Sequence, residues 1–159
     1  MFGTMQDPFD LLVRPSVKKL YDECFASVCQ DWKHRRKTHL FLGNPGIGKS
    51  YSMLYLLRLI LDNPPSSSSI PDDEIQMRDR GIFSSVVWRE GYVGPFHVFC
   101  REEEGWSHEQ CSSLEFGKVA RALKKPTAML YDVVNHRVEE DCFLQYFDWC
   151  VFSSSPDPQ

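Results

Sequence analysis

The run Gly43-Asn44-Pro45-Gly46-Ile47-Gly48-Lys49-Ser50 constrains this chain more than any other feature. It matches G-x-x-x-x-G-K-[ST] at every position, and each position has a physical task. The glycines let the backbone curl until successive N–H groups turn inward onto phosphate oxygens. A helix starting near Lys49 adds its unpaired N–H groups and the positive end of its dipole. Lys49 is then expected to reach the β- and γ-phosphates, and the Ser50 hydroxyl to hold magnesium. Tyr51, next along the helix, is counted with the nucleotide-contacting residues. The same pattern also occurs as a plain glycine-rich turn, so the flanks decide. Thr38 to Leu42 reads as a short strand and Lys49 to about Asp62 as a helix, which is the strand–loop–helix context the chemistry requires.

The rest of the chain alternates strands and helices. Val17, Leu20, Tyr21, Cys24, Phe25 and Val28 recur at helical spacing and predict a helix from about Ser16 to Gln30. The helix after the loop is apolar nearly all round, so it should be covered on more than one side; Asn63-Pro64-Pro65 stops it. Residues 63–81, with prolines, four consecutive serines and Asp72-Asp73-Glu74, read as a loop or insertion. Strands are expected at 85–89, 96–100, 127–131 and 149–152. Ser112-Ser113-Leu114-Glu115 is a capping-box pattern opening a helix with Phe116, Val119, Ala120 and Leu123 on one face. A short helix is expected near 139–146. Short apolar strands without alternation indicate a mainly parallel sheet covered by helices on both faces. Residues 1–37 are read as an N-terminal helical segment and 38–159 as the α/β core.

Composition narrows the partners. The chain has 159 residues and a formal net charge of −4, which gives no support to a general nucleic-acid binder. The longest apolar run, Met53 to Leu61, is about half a membrane span and contains Arg58. No signal peptide opens the chain, so an intracellular, non-membrane protein is expected. The six cysteines form no C-x-x-C pair and read as free thiols of a reducing compartment. The basic run Lys33 to Lys37 reads as a solvated loop, with nuclear import as its functional alternative.

A phosphate loop also needs a carboxylate at the end of a neighbouring buried strand, to hold magnesium through water. Thr127 to Tyr131 ends in Asp132, the candidate metal residue alongside Ser50. The competing reading is a surface strand ending in a turn-forming Asp. Val133 follows where a water-orienting glutamate often stands. Glu102, with Glu103 and Glu104, is the candidate base from a neighbouring strand; the competing reading is a solvated acidic loop. Ser153 to Ser155, with Ser154 as the candidate catalytic member, either sense the γ-phosphate or form a serine-rich turn.

Leu42 to Ser50, the following Tyr51 to Leu57, the later Leu130-Tyr131-Asp132 and the closing Val151 to Pro156 together resemble the ATPase domain shared by trypanosomatid retrotransposon hot spot proteins and crinkler effectors. The resemblance covers roughly residues 38–156 in order. It implies an additional-strand P-loop NTPase fold, ATP with Mg2+ as the bound species, and a nuclear setting. It assigns Lys49 and Ser50 to phosphate and magnesium, Asp132 to magnesium, and Ser153–Ser155 to sensing. The chain stops just after the serine–proline motif, where such cores usually continue, so a C-terminally incomplete core is expected, with turnover affected more than binding.

Three functions follow as expectations. The first is ATP binding with weak or partner-dependent hydrolysis, the partner being another protein or a second copy. The second is a nucleotide-binding module that does not hydrolyse. The third is a small nucleotide triphosphatase or kinase, with Arg78, Arg80 and Arg89 as the arginines for a lid. No N-K-x-D signature for guanine is present.

Overall fold

The computed structural model describes residues 14–31, 37–43, 48–62, 82–91, 94–133 and 144–154. In chain order the elements are α1 (Pro15–Asp31), β1 (Lys37–Leu42), α2 (Lys49–Leu61), β2 (Ser85–Glu90), β3 (Phe96–Glu102), β4 (Gly105–Cys111), α3 (Ser113–Ala122), β5 (Thr127–Val133), a single 3-10 turn (Leu144–Tyr146) and β6 (Trp149–Ser154). The fold is α/β. Six strands form one mixed sheet in the order β1-β6-β5-β2-β3-β4. The pairs β1·β6, β6·β5 and β5·β2 are parallel, and β2·β3 and β3·β4 are antiparallel.

Strand alternation sorts the side chains onto two faces. Val86, Ala128, Leu130, Trp149 and Val151 meet Met53, Leu56, Leu57 and Ile60 of α2 and Tyr21, Cys24, Phe25 and Val28 of α1. On the other face Val87, Val98, Met129, Tyr131, Cys150 and Phe152 pack with Phe116 and Ala120 of α3. Helices therefore cover both faces. The nearly all-round apolarity of α2 has its explanation here: β5, β6 and β2 lie beneath it and α1 packs against it as well.

Local chemistry accounts for the element ends. The Ser112 backbone N–H and hydroxyl donate to Glu115 Oε2 at 3.2 and 2.7 Å, and the Phe116 N–H reaches the Ser112 carbonyl at 3.0 Å. The expected capping box thus starts α3. At the other end of the chain, Thr127 ties β5 to the start of β6: its N–H and hydroxyl both donate to Asp148 Oδ2, at 2.8 and 3.1 Å.

The sheet is mainly parallel as expected, and the antiparallel pairs β2·β3 and β3·β4 make it mixed. Two other expectations change. β4 was not expected as a strand; its sequence GWSHEQC is mostly exposed, so it lacks the apolar signal of an inner strand. β6 runs on to Ser154, so Ser153 and Ser154 lie inside the strand and not in a turn beyond it. β1 is an edge strand of the described sheet, with Leu40 and Leu42 exposed. The loop at 63–81, the basic residues 33–36 and most of the helix expected near 139–146 lie outside the described residues. Among the described residues no helix is long and apolar enough to cross a membrane.

Cys24, Cys100, Cys111 and Cys150 are thiols outside any disulfide. Burial pushes the Cys24 thiol up to about 12, which leaves it unreactive near neutral pH.

One pairing makes stability depend on pH. The indole N–H of buried Trp149 donates to His39 Nδ1 at 2.9 Å, which requires that nitrogen to be unprotonated. Burial, helped by the charge of Lys37, lowers the His39 pKa below its ordinary 6.5. Between that lowered value and 6.5 the unfolded chain binds the proton more readily than the folded one, so stability rises with pH across the window. We expect full stability above about pH 6.5 and a progressive loss as the pH falls towards the folded-state value. Urea melts at a series of pH values measure this, and His39→Gln, which keeps an acceptor but cannot titrate, should flatten the slope in that window. An unchanged slope in the variant would assign the pH dependence to other groups.

Candidate functional site

The residues of the glycine-rich run that the structure describes sit where β1 hands over to α2. Gly48 has φ +86°, a left-handed conformation that costs an L side chain roughly 1–2 kcal/mol, so the glycine is required by the turn itself. The first intrahelical bond runs from the Ser52 N–H to the Gly48 carbonyl at 2.9 Å. The N–H groups of the preceding residues in that turn have no acceptor inside the helix. Lys49 is half-buried, and its ammonium donates to the Gly43 carbonyl at 2.6 Å, closing the loop across its base. Ser50 and Tyr51 are exposed at the first turn of α2. Asn44, Pro45, Gly46 and Ile47 lie outside the described residues.

Sheet order brings the expected carboxylate close to this loop. β6 lies between β1 and β5, so Phe41, Ser153, Asp132 and Glu90 fall in one row across four parallel strands: Phe41 pairs with Ser153, Ser153 with Asp132, and Asp132 with Glu90. This row is at the carboxyl ends of the strands, where ligands bind in open α/β sheets. Gly43 follows Phe41 by two residues. Asp132 shares strand parity with Ala128 and Leu130, and Ser153 with Trp149 and Val151, so both lie on the face that α2 covers.

Asp132 is 5% exposed. The Ser153 hydroxyl donates to its Oδ1. Among the described residues the Asp132 carboxylate has no other hydrogen-bond partner and no cation. Its charge is felt by Tyr21: burial pushes that phenol above its ordinary pKa, Asp132 acts in the same direction, and the bond to Ser52 opposes both. Asp132, Ser153, Ser52 and Tyr21 are thus buried polar side chains between the sheet and the helices α1 and α2.

Two candidate residues are corrected. Glu102 does not lie beside the glycine-rich run. β3 runs antiparallel to β2 and pairs Cys100 with Ser85, at the opposite end of β2 from Glu90. Glu102 is therefore roughly 20 Å along the strands from the Asp132 row, at about 3.3 Å per residue. It accepts a bond from the Ser107 hydroxyl at 3.1 Å and, with Glu103, Glu104, Ser84, Arg101 and Lys124, lines an open groove at that far end. Ser154 is not the serine that meets Asp132. Alternation gives it the parity of Cys150 and Phe152, on the α3 side, and Ser153 takes the position beside the carboxylate.

Sequence reasoning also missed where Arg89 goes. It is buried on the α3 face, its guanidinium over the Phe96 ring at 4.2 Å and donating to Ser113 Oγ at 3.1 Å. It is on the opposite face from Asp132 and is not placed to act as a lid arginine. Arg78 and Arg80 lie outside the described residues. Glu90, the acidic residue whose backbone does stand beside Asp132, carried no motif that would have singled it out.

Comparison of the chain with protein-family models, with curated proteins and with solved structures finds no match.

Proposed function

We propose that this chain binds ATP with Mg2+ at the carboxyl edge of the sheet, as a P-loop NTPase core of the additional-strand class. The observation that carries the reading is Asp132, a buried carboxylate with one hydrogen bond and no cation among the described residues, one strand removed from the strand that feeds the phosphate loop. A buried charge without a counter-charge is costly, and a cation held beside the loop offsets that cost. The intervening β6 supports the additional-strand assignment.

The donor chemistry fits magnesium. The hydroxyl of Ser50 and the carboxylate of Asp132 are hard oxygen ligands, and Mg2+ is usually bound by one or two protein oxygens together with phosphate and water. Magnesium supplies charge neutralisation at the β,γ-bridge. The protein contributes the loop N–H groups, the Lys49 ammonium and the orientation of Asp132 by Ser153.

The test is a titration of the purified chain with a fluorescent ATP analogue, with Mg2+ and with chelator. Magnesium-dependent saturable binding is expected. No binding under either condition would remove the reading.

A second reading, binding without hydrolysis, is favoured by two placements: Glu102 is at the far end of the sheet and Arg89 is buried on the opposite face. With neither in reach of a γ-phosphate, we expect phosphate release at saturating ATP to stay well below about one per second, the lower end of the ordinary enzyme range. A missing arginine finger alone accounts for roughly a thousandfold or more, and a partner protein or second copy would be its source. Turnover of one per second or faster would instead require a complete site. A nuclear setting has the family resemblance as its whole support.

A further inference from the structure

Tyr21 belongs to α1, outside the strand, loop and helix that carry the phosphate-binding pattern, and the reading above gives it no role. Its surroundings do. Its ring lies on Phe41 of β1 at 4.7 Å between centroids, and its hydroxyl is 3.0 Å from the Ser52 hydroxyl. Ser52 spends its own proton on the Lys49 carbonyl at 2.6 Å. A serine hydroxyl has one proton to donate, so Tyr21 is the donor in the Tyr21–Ser52 bond. The result is a directed relay from the phenol through Ser52 to the backbone of Lys49. Both residues are buried, Tyr21 at 2% and Ser52 at 8% exposure. A second bond, from the Tyr55 hydroxyl to Asp22 Oδ1 at 2.8 Å, holds α1 against α2 one turn further on.

We infer that Tyr21 is a positioning residue of the nucleotide site: through Ser52 its hydroxyl holds the first turn of α2 in place, so that Lys49 and Ser50 stand opposite Asp132. The N-terminal helix is then part of the site and not an appendage to it. The inference rests on the nucleotide reading proposed above. Its physical basis is the preorganisation of the turn: a turn that must be ordered by the ligand binds it more weakly than one already ordered.

The experiment compares wild type, Tyr21→Phe, Ser52→Ala and the double variant in titrations with a fluorescent ATP analogue, with and without Mg2+, alongside thermal melts. Tyr21→Phe keeps the ring on Phe41 and removes only the hydroxyl. Each single variant should weaken magnesium-dependent binding roughly 3- to 10-fold, the worth of one buried hydrogen bond, and raise the Mg2+ concentration at half-saturation. The double variant should be no weaker than the weaker single, because both remove the same relay. Unchanged affinity and Mg2+ midpoint in a folded Tyr21→Phe, whatever its melting temperature, would make Tyr21 a packing residue and overturn the inference, as would additive losses. Should Tyr21→Phe fail to fold, Ser52→Ala decides alone by the same two readouts. Lys49→Ala separates the two levels. If wild type binds and Lys49→Ala does not, only the role of Tyr21 is being judged. If wild type binds no better than Lys49→Ala, the nucleotide reading fails and this inference with it.

Discussion

Lys49→Ala should weaken binding of Mg–ATP by roughly 30-fold or more while leaving the fold intact. Truncating one member of a desolvated, hydrogen-bonded charge pair typically costs about 2–5 kcal/mol, and the Lys49 ammonium is the cation that the proposed reading puts on the β- and γ-phosphates. In the structure it donates to the Gly43 carbonyl, the first residue of the loop. It therefore marks the opening that the phosphates would fill, and it can exchange that carbonyl for phosphate oxygens without moving α2. The stability cost should be small, because the side chain is only half-buried and Gly43 can turn to water. The measurement is a titration with a fluorescent ATP analogue, paired with far-UV circular dichroism melts. Affinity equal to wild type would mean that the glycine-rich run is a connecting turn and nothing more.

Much of this arrangement was legible in the sequence, for reasons that can be named. β1 and α2 were clear because the loop pattern has fixed flanks, and α3 because Ser112 and Glu115 are at capping-box spacing. Asp132 was singled out because the G-x-x-x-x-G-K-[ST] pattern calls for an acid at the end of a neighbouring apolar strand, and β5 does end there, two strands from β1. What failed were inferences that needed the sheet. Glu102 looked close to the site because it follows a strand, but direction along the chain is not direction in space, and the antiparallel turn into β3 carries it to the wrong end. β4 was invisible because an edge strand with exposed Ser107, His108, Glu109 and Gln110 has no apolar alternation to read. Choosing Ser153 over Ser154 needed the length of β6 and its register with β5, since a one-residue difference exchanges the faces. Arg89 was counted among the lid arginines because nothing local announced that Phe96 and Tyr131 would enclose it.

Asp132→Asn should move stability and function in opposite directions. Asparagine keeps the size of the side chain and can still accept the Ser153 hydroxyl through Oδ1, so the hydrogen bond beside β6 survives. The negative charge is removed from a site that is 5% exposed and that no described cation shares. Relieving a buried, uncompensated charge should stabilise the ligand-free chain by on the order of 1 kcal/mol, a rise of about 2–4 °C in melting temperature for a chain of this size. With Mg–ATP the order should reverse. A ligand that binds only the folded state stabilises it by RT ln(1 + [L]/Kd), about 2.7 kcal/mol at one hundred times Kd. A tenfold loss of magnesium-coupled affinity removes about 1.4 kcal/mol of that. Wild type should therefore gain more from Mg–ATP than the variant and match or overtake it, whereas nucleotide in chelator should leave the variant ahead. This crossing follows from a site whose acid is kept at a cost to the empty fold. An ordinary structural aspartate, whose charge helps the ligand-free fold, would give the opposite pattern. A variant that melts lower than wild type without ligand, and responds to Mg–ATP as wild type does, would show that Asp132 serves the sheet and that the magnesium must be held elsewhere.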